Sequence, residues 1–467
     1  MLNAASIRCV SGLVLAFGSA AFAQPCEPGF ASGEPGESGI FDSFSAYVQP
    51  MTEYQGKLII GGAFSSAGPL ATKCVAAFDR ASGQWSRLGR GVDTGNTNGY
   101  AAALATYTID GVEHLVMGGG YFGVRNANNQ LVANTTGISA WNGTAWRSIA
   151  NSANDTARSV WSLLNWEITP GRRVLLVGGG GRIGDSTANG IAYFDGETWS
   201  NIGGPSNTGI DGTFSPTVFC SAIYNGQLYI GGRFASVNGV SAPNIARWNG
   251  TVWQRPGVLG NGGAVSDVSS LRVFDNGSGA RLYAGGYDMR PGGIASTVAS
   301  FNGTTWSRVG QNLGGRATSL AVFDDGGGAK LYMGMTADAQ QQYFYRLEGN
   351  VWTAVDGGVS VPLTPNFPSV FGLYASGDTL HVGGNFQVAG SQGVAAYGIA
   401  AYRGCAEPDC PADFNGDAFL DFFDYADYVT CFEVGTCPAG RTADFNGDAF
   451  VDFFDYADFV QAFETGC

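Results

Sequence analysis

Two near-identical acidic stretches close the chain, and the spacing of their oxygen-bearing side chains is that of a cation site. Residues 412–433 read ADFNGDAFLDFFDYADYVTCFE and residues 443–464 read ADFNGDAFVDFFDYADFVQAFE, with 18 of 22 positions shared. Oxygen side chains recur at loop positions 1, 3, 5, 9 and 12. They are Asp413, Asn415, Asp417, Asp421 and Asp424 in the first copy, and Asp444, Asn446, Asp448, Asp452 and Asp455 in the second. Position 7, Phe419 or Phe450, would add a backbone carbonyl. Calcium takes roughly six to eight hard oxygen ligands, and a loop of about twelve residues can wrap them around it. Without a cation so many carboxylates would repel one another. The expected cofactor is therefore Ca2+, two ions, one per loop.

The aromatic and Ala-rich run after each loop can form one helix, so each copy reads as a loop followed by a helix. The pair resembles the dockerin domain, two such calcium motifs in tandem. That resemblance implies a folded tail, residues 405–467, that docks onto a cohesin-like or surface-anchoring protein. Positions 10 and 11, which help select the partner in that family, are Phe422-Phe423 and Phe453-Phe454. Position 6 is Ala418 or Ala449, where the family usually has Gly; Ala in a left-handed conformation costs on the order of 1 kcal/mol and weakens affinity. The chain ends Gly466-Cys467, similar to the Gly-Cys-terminated tails of planctomycete secreted proteins, which implies anchoring or sorting. Pairing of Cys467 with another tail cysteine is the alternative.

The net charge of −14 belongs to this tail: residues 405–467 hold 14 acidic residues and one basic residue, Arg441. Residues 24–404 carry 24 acidic and 22 basic residues. A nearly neutral body argues against nucleic acid as a partner, because phosphate binding needs a basic face.

Residues 1–23 read as a secretory signal peptide, with Arg8 its one charge, a short apolar run from Val10 to Ala16, and Ala21-Phe22-Ala23 fitting the cleavage rule. No stretch after it is apolar and long enough to span a membrane. The expected location is secreted, extracellular or on a bacterial cell surface, where disulfides are permitted. Eight cysteines follow the signal, and their spacing leaves the pairing open.

Between about residue 40 and residue 404 one sentence repeats seven times. Its clearest copy is QLYIGGRFASVNGVSAPNIARWNGTVW, Gln227 to Trp253. Glycine pairs recur at Gly61, Gly118, Gly178, Gly231, Gly285 and Gly383, with Gly334-Met335 degenerate, and Trp85, Trp146, Trp199, Trp253, Trp306 and Trp352 follow them. In the fourth copy the expected strands are 219–224, 227–230, 244–248 and 251–254. Asn225-Gly226 and Asn249-Gly250 are read as type I′ hairpin turns. Four antiparallel strands per repeat of about 50 residues are one propeller blade. The units look like kelch-type and related Gly-Gly/Trp repeats. The expected fold is mainly β: a seven-bladed β-propeller over residues 24–404, with a small α-helical calcium-loop domain behind it.

The seventh copy lacks its fourth-strand Trp, so residues 25–33 are expected to supply that strand. Cys26 and Cys405 would then meet at the seam as a possible disulfide.

Conventional catalytic sets are sparse. His114 and His381 each sit in a second strand, where other copies carry Leu, Tyr or Ile, and read as structural. Asn142, Asn249 and Asn302 begin Asn-Gly-Thr sequons that turn chemistry already explains. The loops between strands two and three vary most and form the default surface for a glycan or protein ligand, with Arg125, Asp185, Arg233, Asp288 and Arg290 as contacts. The first strands SLRVF (270–274) and SLAVF (319–323) suggest a channel lined by apolar and small residues rather than by a carboxylate pair. These residues weigh toward a non-catalytic binding protein. A carbohydrate-active enzyme, either a polysaccharide lyase or a glycoside hydrolase, and an extracellular structural protein are the alternatives.

Overall fold

A computed structural model of the chain describes residues 28–31, 39–41, 46–94, 99–150, 159–212, 215–259, 266–361, 368–404, 412, 414, 422–438, 441–446 and 450–465. Residues 1–23 lie outside that set. The architecture is mainly β with two helices near the C-terminus.

The first six repeats each form a four-stranded antiparallel meander, the third and fourth joined at Gly180 and Thr217. The fourth is built from Thr217–Tyr224, Gln227–Arg233, Ile245–Trp248 and Trp253–Gln254. Its first hairpin turns as expected, with Asn225 at φ 49° and Gly226 at φ 71°. The second turn corrects the expectation. Among its residues Gly250 has a positive φ, and the Asn249 side chain closes the turn by accepting from Thr251 N at 3.0 Å and Val252 N at 2.9 Å. Asn142 and Asn302 do the same in their sheets. This side-chain turn explains why Asn recurs there.

The first strands are Tyr47–Tyr54, Tyr100–Ile109, Ser159–Thr169, Thr217–Tyr224, Asp267–Phe274, Arg316–Asp324 and Ser369–Ser376. Each packs against the first strand of the next sheet, and the seventh packs against the first. The seventh sheet draws its fourth strand from the other end of the chain: Gly29–Ala31 pairs antiparallel with Ile399–Arg403, setting Phe30 opposite Tyr402. The N-terminal strand thus completes the seventh sheet, as the missing Trp predicts. Cys26 and Cys405 lie outside the described residues.

The glycine pairs are explained by two different close approaches. A Cβ on Gly178 would meet the Val218 side chain of the next sheet at 2.7 Å, and one on Gly179 would meet the Ser159 carbonyl of its own sheet at 2.1 Å. The first glycine therefore admits the neighbouring sheet, and the second admits an irregularity in the strand beside it. Gly383 closes the series, since its Cβ would meet Val48 of the first sheet at 2.8 Å.

The apolar cores lie between successive sheets. One joins Val116 and Ile138 of the second to Leu175 and Val177 of the third; another joins Tyr229 of the fourth to Leu282 and Phe301 of the fifth. Fourth-strand tryptophans add a polar stitch. Trp146, Trp199, Trp306 and Trp352 donate Nε1–H to the carbonyls of Leu88, Ile149, Pro256 and Val309, at 2.8, 2.6, 2.7 and 3.1 Å. Each acceptor follows the preceding sheet's fourth strand. A buried indole thus keeps its hydrogen bond while its ring contributes large apolar area. Trp253 is the exception, with Nε1 buried and unpartnered among the described residues.

The tail carries α1 (Phe422–Val434) and α2 (Phe453–Thr465). Tyr428 stacks on Phe459 with centroids 3.9 Å apart, and the Tyr425 and Tyr456 hydroxyls lie 2.5 Å apart. Each pair joins a residue to its own counterpart in the other copy. Phe414 meets Phe459 at 6.0 Å, and reciprocally Phe445 meets Tyr428 at 5.8 Å. A residue can touch its own equivalent only near a two-fold axis, so the duplication packs with approximate two-fold symmetry. Cys431 and Cys437 form a disulfide that ties the end of α1 to the segment after it.

Candidate functional site

The first strands are not regular. Opposite each glycine pair the ladder slips, leaving one or two residues without a partner. The residues within these slips are Gln49 with Pro50, Ala102, Trp161, Phe219, Ser269, Thr318 and Phe371. A bulge re-aims the extra side chain. Here Gln49, Trp161, Phe219, Ser269, Thr318 and Phe371 all line one cavity of about 400 Å³, together with Tyr47, Arg233, Arg316 and Thr336. That volume suits a small molecule or the end of a polymer.

Its aromatic wall is continuous in places. Tyr47 and Phe371 lie 5.1 Å apart, Trp161 and Phe219 5.6 Å, and Tyr100 sits 5.3 Å from Trp161. The expectation of a channel lined by apolar and small residues is corrected here. SLRVF and SLAVF begin one residue after the bulge, so they miss the residues that reach the cavity. A signal was present: the position between a repeated Val or Ala and a small residue, as in Val160-Trp161-Ser162 and Val370-Phe371-Gly372, varies freely while its flanks do not.

Two guanidiniums meet this wall. Arg233 lies 5.6 Å over the Phe219 ring, a cation–π distance, and its Nε is buried without a partner among the described residues. Arg316 lies 5.7 Å over Tyr287 and pairs with Asp267 at 2.9 Å. Asp267 is 1% exposed and accepts from Ser269 Oγ at 2.8 Å. Burial pushes its carboxyl above the usual range, against the pull of Arg316 and Arg233.

The other loop residues named from sequence are turned to structure. Arg125 pairs with Asp93 at 2.8 Å, and Arg290 with Asp288 at 2.8 Å. Asp185 lines a separate groove beside Trp199 and Trp248. Four of the strand-two-to-three loops carry strands that pair with the connection from the preceding sheet, as Ser66–Ala67 does with Ile40–Phe41 and Ser236–Val237 with Ile210–Asp211. Varied length there serves partly to stitch one sheet to the next. His114 and His381 are buried in their strands, 3% and 0% exposed.

In the tail, Asp413, Asn415, Asp417, Phe419, Asp421 and Asp448 lie outside the described residues, as does the Phe423 side chain. Among the described residues no group of three or more His, Cys, Asp or Glu is gathered as a metal site. The second loop nonetheless folds around one carboxylate. Asp455 is buried and accepts from Phe445 N at 2.8 Å, Asn446 N at 3.1 Å and Asp452 N at 2.8 Å. Burial raises its pKa, but these amide hydrogen bonds outweigh that and hold the carboxyl below its usual value. Asp452 in turn accepts from Phe454 N at 2.8 Å, so Asp452 and Asp455 form a reciprocal cap on α2. Asp424 is likewise buried at the first turn of α1. The described donors are all oxygens, the chemistry calcium requires. Around them Phe422, Phe450, Phe453 and Phe454 are 71, 71, 72 and 67% exposed.

No helix among the described residues is long and apolar enough to cross a membrane. No family model matches the chain, and no curated protein matches it. Among solved structures, the extracellular domain of the B. thetaiotaomicron protein BT4673, described once as a one-component and once as a hybrid two-component system, aligns at TM-score 0.48 and 13% identity in both cases. The alignments cover 80% and 81% of this chain and 40% of that one. A computationally designed protein, Ika8, aligns at TM-score 0.41 and 11% identity, covering 78% of this chain and 98% of its own. At these scores the chain is a mainly β protein with distant structural likenesses, and no activity follows from them.

Proposed function

We propose that this chain is a secreted binding protein: a seven-bladed β-propeller of kelch-like repeats whose central mouth holds a ligand, carried by a calcium-binding, dockerin-like tail. The observation that supports the binding role most is the bulge series. One register of the repeat is freed from the ladder in successive sheets, and its side chains converge on a single cavity. The succession of first-strand contacts, returning from the seventh sheet to the first, supports the closed ring.

The lining carries arginines, aromatics and hydroxyls, and the nearby carboxylate of Asp267 is engaged by Arg316 and Ser269. That composition suits holding a ligand better than the paired carboxylates of glycoside hydrolysis.

In the tail, Asp444, Asn446, Asp448, Asp452, Asp455 and the Phe450 carbonyl would hold one Ca2+, and the matching residues of the first copy a second. Bound calcium would neutralise the loop carboxylates. The exposed Phe pairs would then face a cohesin-like or surface-anchoring partner, consistent with export to a bacterial cell surface.

Screening the full-length protein for polysaccharide binding and turnover in parallel, with Trp161→Ala beside it, tests this reading. Binding without turnover, lost in the variant, is expected. Turnover would replace it with a lyase or hydrolase, and neither activity would leave a structural role.

A further inference from the structure

The charges around the cavity do not balance. Arg233 and Arg316 bring two positive charges to its wall. Asp267 supplies one negative charge, already paired with Arg316 at 2.9 Å. No salt bridge is formed by Arg233 among the described residues, and its Nε is shut away from water without an acceptor. One guanidinium thus stands uncompensated beside a partly apolar, recessed wall. There the attraction for an anion is screened less than on an open surface.

A guanidinium matches a carboxylate through two parallel hydrogen bonds. Beside Arg233, the Trp161 and Phe219 rings stand edge to face at 79°, an apolar corner against which a ring can rest, and Gln49 and Thr336 add an amide and a hydroxyl that can bond ring substituents. We infer that the cavity, as the ligand site of the reading above, takes a carboxylate-bearing sugar ring, a uronic acid residue of an acidic polysaccharide, with the carboxylate at Arg233 and the ring against Trp161 and Phe219. This deepens the proposed binding function and rests on it. An aromatic acid shares the carboxylate and the flat face but lacks the hydroxyls for Gln49 and Thr336. A neutral sugar lacks the charge.

Calorimetric titration of the full-length protein in calcium with uronic acid oligosaccharides, the same oligosaccharides with their carboxyls reduced to alcohols, and benzoate tests the assignment. The uronate oligomer should bind at least about tenfold more tightly than its reduced form, the range of a charge-assisted hydrogen bond. Its affinity should fall with added salt. Arg233→Met should abolish that preference, and Trp161→Ala should weaken binding of both forms. Circular dichroism and the thermal midpoint confirm that each variant is folded.

Equal affinity for the acidic and reduced forms, or tighter binding of benzoate, overturns the assignment. If that binding still depends on Trp161, the cavity remains a ligand site of another class. Absence of binding by all three probes, or binding indifferent to both substitutions, overturns the assignment together with the binding role of the cavity.

Discussion

Phe30 faces Tyr402 across the last pair of strands in the seventh sheet, with ring centroids 5.5 Å apart in an edge-to-face arrangement of 68°. The corresponding register elsewhere pairs Trp253 with Trp248 and Trp306 with Phe301. Phe30 therefore stands where the other six repeats place tryptophan, and it also touches Phe344 of the sixth sheet at 5.8 Å.

Phe30→Ala should cost about 2–4 kcal/mol, as for a large aromatic lost from a packed site. The check is urea unfolding of the full chain. Phe30→Trp should retain stability. Deleting residues 24–31 should do more, because it leaves Ile399–Arg403 as an unpaired edge, and self-association on a sizing column is expected.

Gly179→Ala should be among the most damaging single-methyl additions in the protein. The new Cβ would lie 2.1 Å from the Ser159 carbonyl, so the bulge that presents Trp161 must move. A loss of roughly 3 kcal/mol or more is expected. Thermal unfolding measures it. The sixth repeat has Met335 at this register, and there a close approach falls on Gly315, whose Cβ would meet the Thr336 carbonyl at 2.5 Å.

His381 sets a pH dependence. Burial, and after it the Arg80 charge, push its pKa down to about 3 from 6.5. Both ring nitrogens are buried without partners among the described residues. Between those two values the unfolded chain binds a proton that the folded chain does not, so stability falls as pH drops through 6.5 toward 3. At about pH 5 the histidine should cost roughly 2 kcal/mol relative to pH 8. His381→Leu should remove that increment, seen as a smaller acid shift in the urea midpoint than in the parent.

In the tail, Asp455→Ala should leave three amides of the second loop without their acceptor and remove one of the proposed calcium ligands. Calcium titration of the full chain should give two bound ions for the parent and one for the variant. Asp452→Ser should disturb α2 less, because serine caps a helix N-terminus nearly as well as aspartate, although it binds calcium more weakly. Stoichiometry by calorimetry separates the two.

Much of the architecture was legible in the sequence because repetition reveals it. Glycine pairs, Asn-Gly turns and a following Trp mark strands at fixed offsets. The absent seventh Trp pointed to the N-terminal strand that the structure places beside Ile399–Arg403. The tail's duplication foretold two helices of equal length. These are local signals, carried by φ preference, period-two patterning and side-chain turns.

The cavity was a different matter. Nothing in the residue types of Trp161, Phe219 and Phe371 sets them apart from other strand residues, and the bulge that turns them inward comes from register between two strands and from the glycine that makes room for it. Asp455 likewise read as a calcium ligand, while its three amide donors lie at loop positions brought to it by folding. Sequence spacing alone determined which segments become strands, turns and helices. Only the tertiary structure decided which side chains leave the ladder and meet, because a bulge and a converging cavity depend on contacts between residues far apart in the chain.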